Sequence, residues 1–145
     1  MRVLGVDFGL RKIGLAVSDP EELLATPFRS IEVGSVREAP ARVAAVAREV
    51  EAAAIVVGFP EGLEGQEERV EVRRVERFAK ALRKESGLPV HWIDESLSTR
   101  EAGELVGLGR RSASDRALHA AAAAVILQRW LDRPRPSASE PEGLP

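Results

Sequence analysis

At 145 residues, 44% hydrophobic and with a formal charge of -2, the chain fits one compact domain with a real core and offers nucleic acid no global attraction. No stretch reaches the roughly 18 apolar residues of a membrane helix, and the first residues show neither a charged n-region nor a long apolar h-region, so a soluble, unprocessed, cytoplasmic protein is expected. The absence of cysteine excludes disulfides and cysteine-ligated zinc, which leaves carboxylates, carbonyls, water and two histidines for any metal and favours hard ions such as Mg or Mn.

Val3 to Phe8 is a short apolar run closed by Gly9, and Ile13 to Val17 follows at once, so the pair reads as a β-hairpin. A third strand is expected over Phe28 to Val33, which completes an antiparallel meander with Asp7 on its central strand. Ser35-Val36-Arg37-Glu38 has capping-box spacing, and Val43, Val46, Ala47 and Val50 continue with helical period, so the first helix is expected to start there. Ala54 to Phe59 is an uninterrupted apolar run, as in a strand covered on both faces. Glu67 to Glu85 reads as an amphipathic helix stopped by Gly87 and Pro89, and Val90 to Ile93 as the fifth strand. A second capping box, Ser98-Thr99-Arg100-Glu101, opens a short helix to about Val106, and a polar loop over Gly107 to Ser114 follows. The last, alanine-rich helix runs from about Asp115 to Leu131. The domain is thus expected over residues 1–132, with a proline-rich disordered tail over 133–145.

Three strands followed by alternating helices and strands predict an α/β protein with a five-stranded mixed sheet, the order of an RNase H-like fold. A flavodoxin-like doubly wound sheet would need a helix between the first two strands, and Leu10, Arg11 and Lys12 cannot supply one.

Five residues could carry chemistry. Asp7 ends the first strand, with Gly9 two residues on to let a phosphate or metal approach the backbone; the same pattern also fits a local turn. Asp94 and Glu95 end the last strand and point to opposite sides by alternation, so one of them faces Asp7, and Glu95 is preferred. Asp115 and His119 share a helical face at metal-ligand spacing, although an Asp in a first turn also suits the helix dipole and a histidine among alanines also suits packing. His91, beside Trp92, reads as structural. Basic residues outnumber acidic ones from Arg100 to Arg135, a local bias that fits either phosphate attraction or an arginine-rich solvated surface.

The runs Val6-Asp7-Phe8-Gly9-Leu10-Arg11-Lys12-Ile13-Gly14, Val57-Gly58-Phe59-Pro60, Asp94-Glu95-Ser96-Leu97-Ser98-Thr99 and Ala123-Ala124-Val125-Ile126-Leu127-Gln128 together resemble the YqgF family. These are RuvC-like Holliday-junction resolvases, also regarded as nucleases in maturation of the 5′ end of 16S ribosomal RNA. The resemblance implies an RNase H-like fold, a Mg or Mn cofactor, and Asp7 and Glu95 as metal-binding carboxylates. The family's third acid falls eight residues before Leu127, at His119, a departure that leaves His119, or Asp115 one turn earlier, to complete the catalytic set with Asp7 and Glu95. Arg11, Lys12 and Arg100 would grip flanking phosphates. The expected partner is nucleic acid, pre-16S rRNA or branched DNA, and not a membrane, for a monomer or weak dimer. A non-catalytic RNA- or ribosome-assembly-binding module with a degraded site is the alternative. A third and weaker reading takes Asp7-Phe8-Gly9 as a phosphate loop of the sugar-kinase and actin type, whose enzymes need a second such domain to close over nucleotide.

Overall fold

The computed structural model describes residues 1–59, 65–94 and 115–134. Its elements are β1 (Arg2–Asp7), β2 (Lys12–Ser18), β3 (Ala25–Glu32), α1 (Ala39–Glu49), β4 (Ala52–Phe59), α2 (Gly65–Ser86), β5 (Val90–Asp94) and α3 (Asp115–Asp132). The five strands form one sheet in the order β3-β2-β1-β4-β5. The β1/β2 and β2/β3 pairs are antiparallel, and β4 pairs in parallel with both β1 and β5. This is the α/β mixed sheet that the element order predicts. The expected short helix and polar loop over 98–114, and the tail beyond residue 134, lie outside the described residues.

The meander forms, but its central strand is β2, so Asp7 is not where the local pattern placed it. Asp7 ends β1, which is the centre of the whole sheet because β4 adds to its free side through a parallel pairing of Val3 to Val6 with Ala54 to Val57. The third strand begins at Ala25, three residues before the expected start. Thr26, Pro27 and Phe28 are exposed on an edge strand, where proline is tolerated and no apolar alternation marks the pairing. The first helix begins at Ala39, not at Ser35, because Pro40 belongs in a first turn and would break a helix begun earlier. The Glu38 carboxylate then accepts the backbone N–H of Gly34 in place of closing a capping box.

Alternation along the strands divides the core into two layers. Leu4, Val6, Leu15, Ile55 and Val57 face α1 and α2, where Val43, Phe78 and Leu82 are buried. Val3, Ala16 and Val56 face α3 through Ala123, Ile126, Leu127 and Trp130. The α3 layer is thin, and two glycines make it so. A Cβ on Gly5 would lie 2.7 Å from Leu127 Cβ, and one on Gly14 only 1.9 Å from the His119 carbonyl oxygen. The alanines of α3 and these glycines therefore let helix backbone approach strand backbone directly.

Gln128 fixes α3 along its own axis. Its side-chain oxygen accepts the Ala25 N–H at 2.8 Å, and its amide nitrogen donates to the Leu23 carbonyl at 3.0 Å and to Asp132 at 2.9 Å. The start of β3 is thereby tied to the last turns of α3. The Asp19 carboxylate holds the same turn closed by accepting the N–H groups of Leu23 and Leu24 at 2.7 and 2.8 Å, with the Leu24 bond foremost in drawing its pKa below the ordinary value.

Candidate active site

Parallel pairing brings the carboxyl ends of β1, β4 and β5 to one edge of the sheet, with Val6 level with Val57 and Phe59 level with Asp94. Asp7 is the last residue of β1 on that edge and pairs with Gly14 of β2. Two residues after Gly5, it lies on the face that α3 covers. Its side chain is only 16% exposed, and His119, one turn into α3, is 34% exposed. The His119 Nδ1 stands 3.8 Å from Asp7 Oδ2, too far for a direct hydrogen bond and near enough for a charge interaction or a shared third atom.

The approach is enforced from below: the absence of a side chain on Gly14 lets the His119 backbone rest on β2, and α3 then has no freedom to lift the ring away from Asp7. Gly9 does the same for the turn, since a Cβ there would meet the Lys12 carbonyl at 2.4 Å. That turn carries exposed Arg11 and half-buried Lys12 at the Asp7 edge, and the Arg11 carbonyl accepts the Val33 N–H at 2.8 Å. Asp115 is the first residue of α3, one turn before His119. Glu95 and Arg100 lie outside the described residues, and among the described residues no group of three or more acidic or histidine side chains gathers as a metal site. The strand-end carboxylate and the helical histidine thus meet, while Glu95 and Arg100 of the expected set are not among the described residues.

His91 sits at the other end of the molecule. It lines a cleft of about 220 Å³ with Met1, Ala53, Pro89 and Trp130 where the parallel strands begin, and its ring lies 5.0 Å from that of Trp130. Burial, and then the positive charge of Arg133, push its pKa below 6.5. In acid the unfolded chain therefore takes a proton that the folded chain resists, so stability falls as pH drops below about 6.5 and levels off once the folded ring also protonates. Melting between about pH 7.5 and 5.5 checks this: the decline should be smaller in His91→Gln, and an unchanged decline would remove His91 from the explanation.

Comparison with known proteins identifies the family and the fold. The family model for RuvX, Holliday junction resolvase, matches residues 1–133. A relative from Anaeromyxobacter sp. (strain Fw109-5) is 42% identical over 91% of this chain and 97% of its own. Another, from Maridesulfovibrio salexigens, is 34% identical over 92% of this chain and 99% of its own, and both are described as "Putative pre-16S rRNA nuclease". Among solved structures, T. thermophilus RuvC in complex with Holliday junction substrate aligns with a TM-score of 0.62 and 22% identity, covering 90% of this chain and 93% of that one, a likeness of fold. The chain belongs to the RuvX family of Holliday junction resolvases and is accordingly a nuclease built on an RNase H-like sheet.

Proposed function

We propose that this protein is a divalent-metal-dependent endonuclease that hydrolyses phosphodiester bonds in the 5′-end processing of pre-16S rRNA in the cytoplasm, acting as a monomer or weak dimer. The observation that carries the proposal is the meeting of Asp7 and His119 at the carboxyl edge of the central strand. RNA is preferred to branched DNA because the relatives that match over nearly the whole chain are described by an RNA substrate. Nothing favours the non-catalytic alternative.

The donor set fits a hard or borderline ion: a nearly enclosed carboxylate beside an imidazole, with no cysteine anywhere in the chain. Asp7 and His119 would hold it, together with Glu95, two residues after Ile93 of β5, or with Asp115 one turn before His119. When bound, Mg or Mn would supply activated water and charge stabilisation at the leaving oxygen. Asp7 contributes an acceptor-only group held rigid by the β1 ladder. His119 contributes a softer, neutral donor whose orientation is set by the seat of α3 on Gly14. Arg11, Lys12 and Arg100 would position the flanking phosphates.

A side-by-side titration of Mg and Mn with a pre-16S 5′ leader RNA and a four-way DNA junction tests this. The RNA should be cut, with Mn more effective than Mg because of the imidazole. His119→Asp should raise Mg-dependent cleavage, and His119→Ala should lower cleavage about tenfold or more in either metal. Binding of the RNA with no cut in either metal would overturn the proposal, and cleavage of the junction alone would overturn the choice of RNA.

A further inference from the structure

Helix α2 buries Val75, Phe78, Ala79 and Leu82 against the sheet and α1. Its opposite face is basic. At about 100° per residue, Arg69, Arg73, Arg77, Lys80 and Lys84 fall within a sector about 80° wide, centred away from the buried positions. All five are exposed, and Glu71, Glu76 and Glu85 fall outside the sector. None of the five forms an ion pair with a described residue, whereas Arg74, off the sector, is paired with Glu71 at 2.8 Å. In a chain of net charge -2 such a row is not an average property of the surface.

The row is straight and regular. Its steps of three or four residues place one cation per helical turn, over a length of about 22 Å. It also has a fixed relation to the site, because the Phe78 ring stacks on Phe8, the residue after Asp7, at 4.3 Å between centroids. The middle of α2 is thereby anchored beside the carboxyl edge of β1, on the sheet face opposite the one that carries Asp7.

We infer that this face of α2 is a second nucleic-acid site, a track for the phosphate backbone of single-stranded RNA leading from the Asp7 edge. The choice of RNA rests on the nuclease reading above; the choice of a polyanion rests on the row itself. A straight series of cations, bordered on one side by Glu76, suits an extended strand, which can meet each cation in turn. A duplex backbone curves away around its own axis, so a straight row touches few of its phosphates. No aromatic side chain stands in the row, so the contact is electrostatic and independent of base identity.

The test compares two triple variants of equal charge change: Arg73→Gln/Arg77→Gln/Lys80→Gln on the row, and Arg2→Gln/Arg37→Gln/Arg48→Gln at exposed positions elsewhere. Binding of a labelled single-stranded RNA of about 20 nucleotides is followed by anisotropy across a salt series in EDTA, with melting curves to confirm folding. Loss of three strand phosphate contacts should make the slope of log K against log salt about 2 shallower for the row variant. It should also weaken binding about tenfold or more at low salt, while the other triple stays close to the parent. A matching loss for single-stranded DNA supports backbone recognition. Equal effects of the two triples, or the same dependence for a duplex of that sequence, would overturn the inference. Cleavage plays no part in the measurement, so its failure leaves the nuclease reading standing, and an inactive Asp7 site leaves the track standing.

Discussion

Asp7→Asn is expected to fold as the parent does and to lose metal-dependent cleavage by about a thousandfold or more. The substitution keeps the volume of the side chain at the end of β1, and the β1/β2 pairing of Asp7 with Gly14 uses backbone groups that it does not touch. What it removes is the charge. A ligand that helps hold a catalytic ion contributes several kcal/mol of transition-state stabilisation, and about 4 kcal/mol corresponds to roughly a thousandfold in rate. Melting temperature and single-turnover cleavage in Mn separate the two effects. A variant that melts with the parent and still cuts at a comparable rate would show that Asp7 is a strand-end turn residue.

The second large effect is expected at Gly14, which touches no substrate. A Cβ there would stand 1.9 Å from the His119 carbonyl oxygen, 2.3 Å from its carbon and 3.0 Å from the Ala120 nitrogen. These are backbone atoms, so no rotamer change relieves the clash, and in Gly14→Ala α3 must lift from β2. Overpacking of this kind costs about 3 kcal/mol, the upper end of the usual range. For a domain of this size that corresponds to a fall of about 10 °C in melting temperature. Because the part of α3 that lifts carries His119, cleavage should fall together with stability even at temperatures where the variant is fully folded. Gly34→Ala is the comparison, since its nearest neighbour would be the flexible Glu38 carboxylate at 3.5 Å, an ordinary contact. Similar melting of the two variants would contradict the seating of α3 on Gly14.

Elements with strong local signals are legible in the amino-acid sequence. The β1/β2 hairpin follows from two apolar runs with too few residues between them for a helix, and β4 from an apolar run closed by Gly58 and Pro60. The α/β order and RNase H-like fold follow from those elements in succession. Non-local facts are harder to read. That Asp7 sits at the centre of the sheet depends on β4 pairing with β1 across an intervening helix, which no short window encodes. The start of β3 is hidden because an edge strand need not alternate, and the start of α1 because a capping-box pattern and Pro40 compete and the proline prevails.

The site is legible in its residues more than in its cause. Asp7 stands out as a strand-end acid, and His119 as the occupant of a position where the resembled family has an acid. What brings them within 3.8 Å is the missing side chain at Gly14, and glycine spacing alone does not say which backbone will fill the gap. Gln128 is visible in the sequence only as part of a motif, and its bonds to Leu23, Ala25 and Asp132 arise from the packing of α3 against β3. The basic row of α2 has helical spacing throughout but is masked by the acids around it, which bring the chain near neutrality. For Glu95 and Arg100 the sequence remains the basis of the assignment.

Direct Mn binding followed by electron paramagnetic resonance tests, without reference to any substrate, whether Asp7 and His119 jointly hold a divalent ion. The parent should bind Mn, and Asp7→Asn and His119→Ala should each weaken that binding about tenfold or more. Unchanged Mn affinity in both variants would contradict a shared metal site at the end of β1.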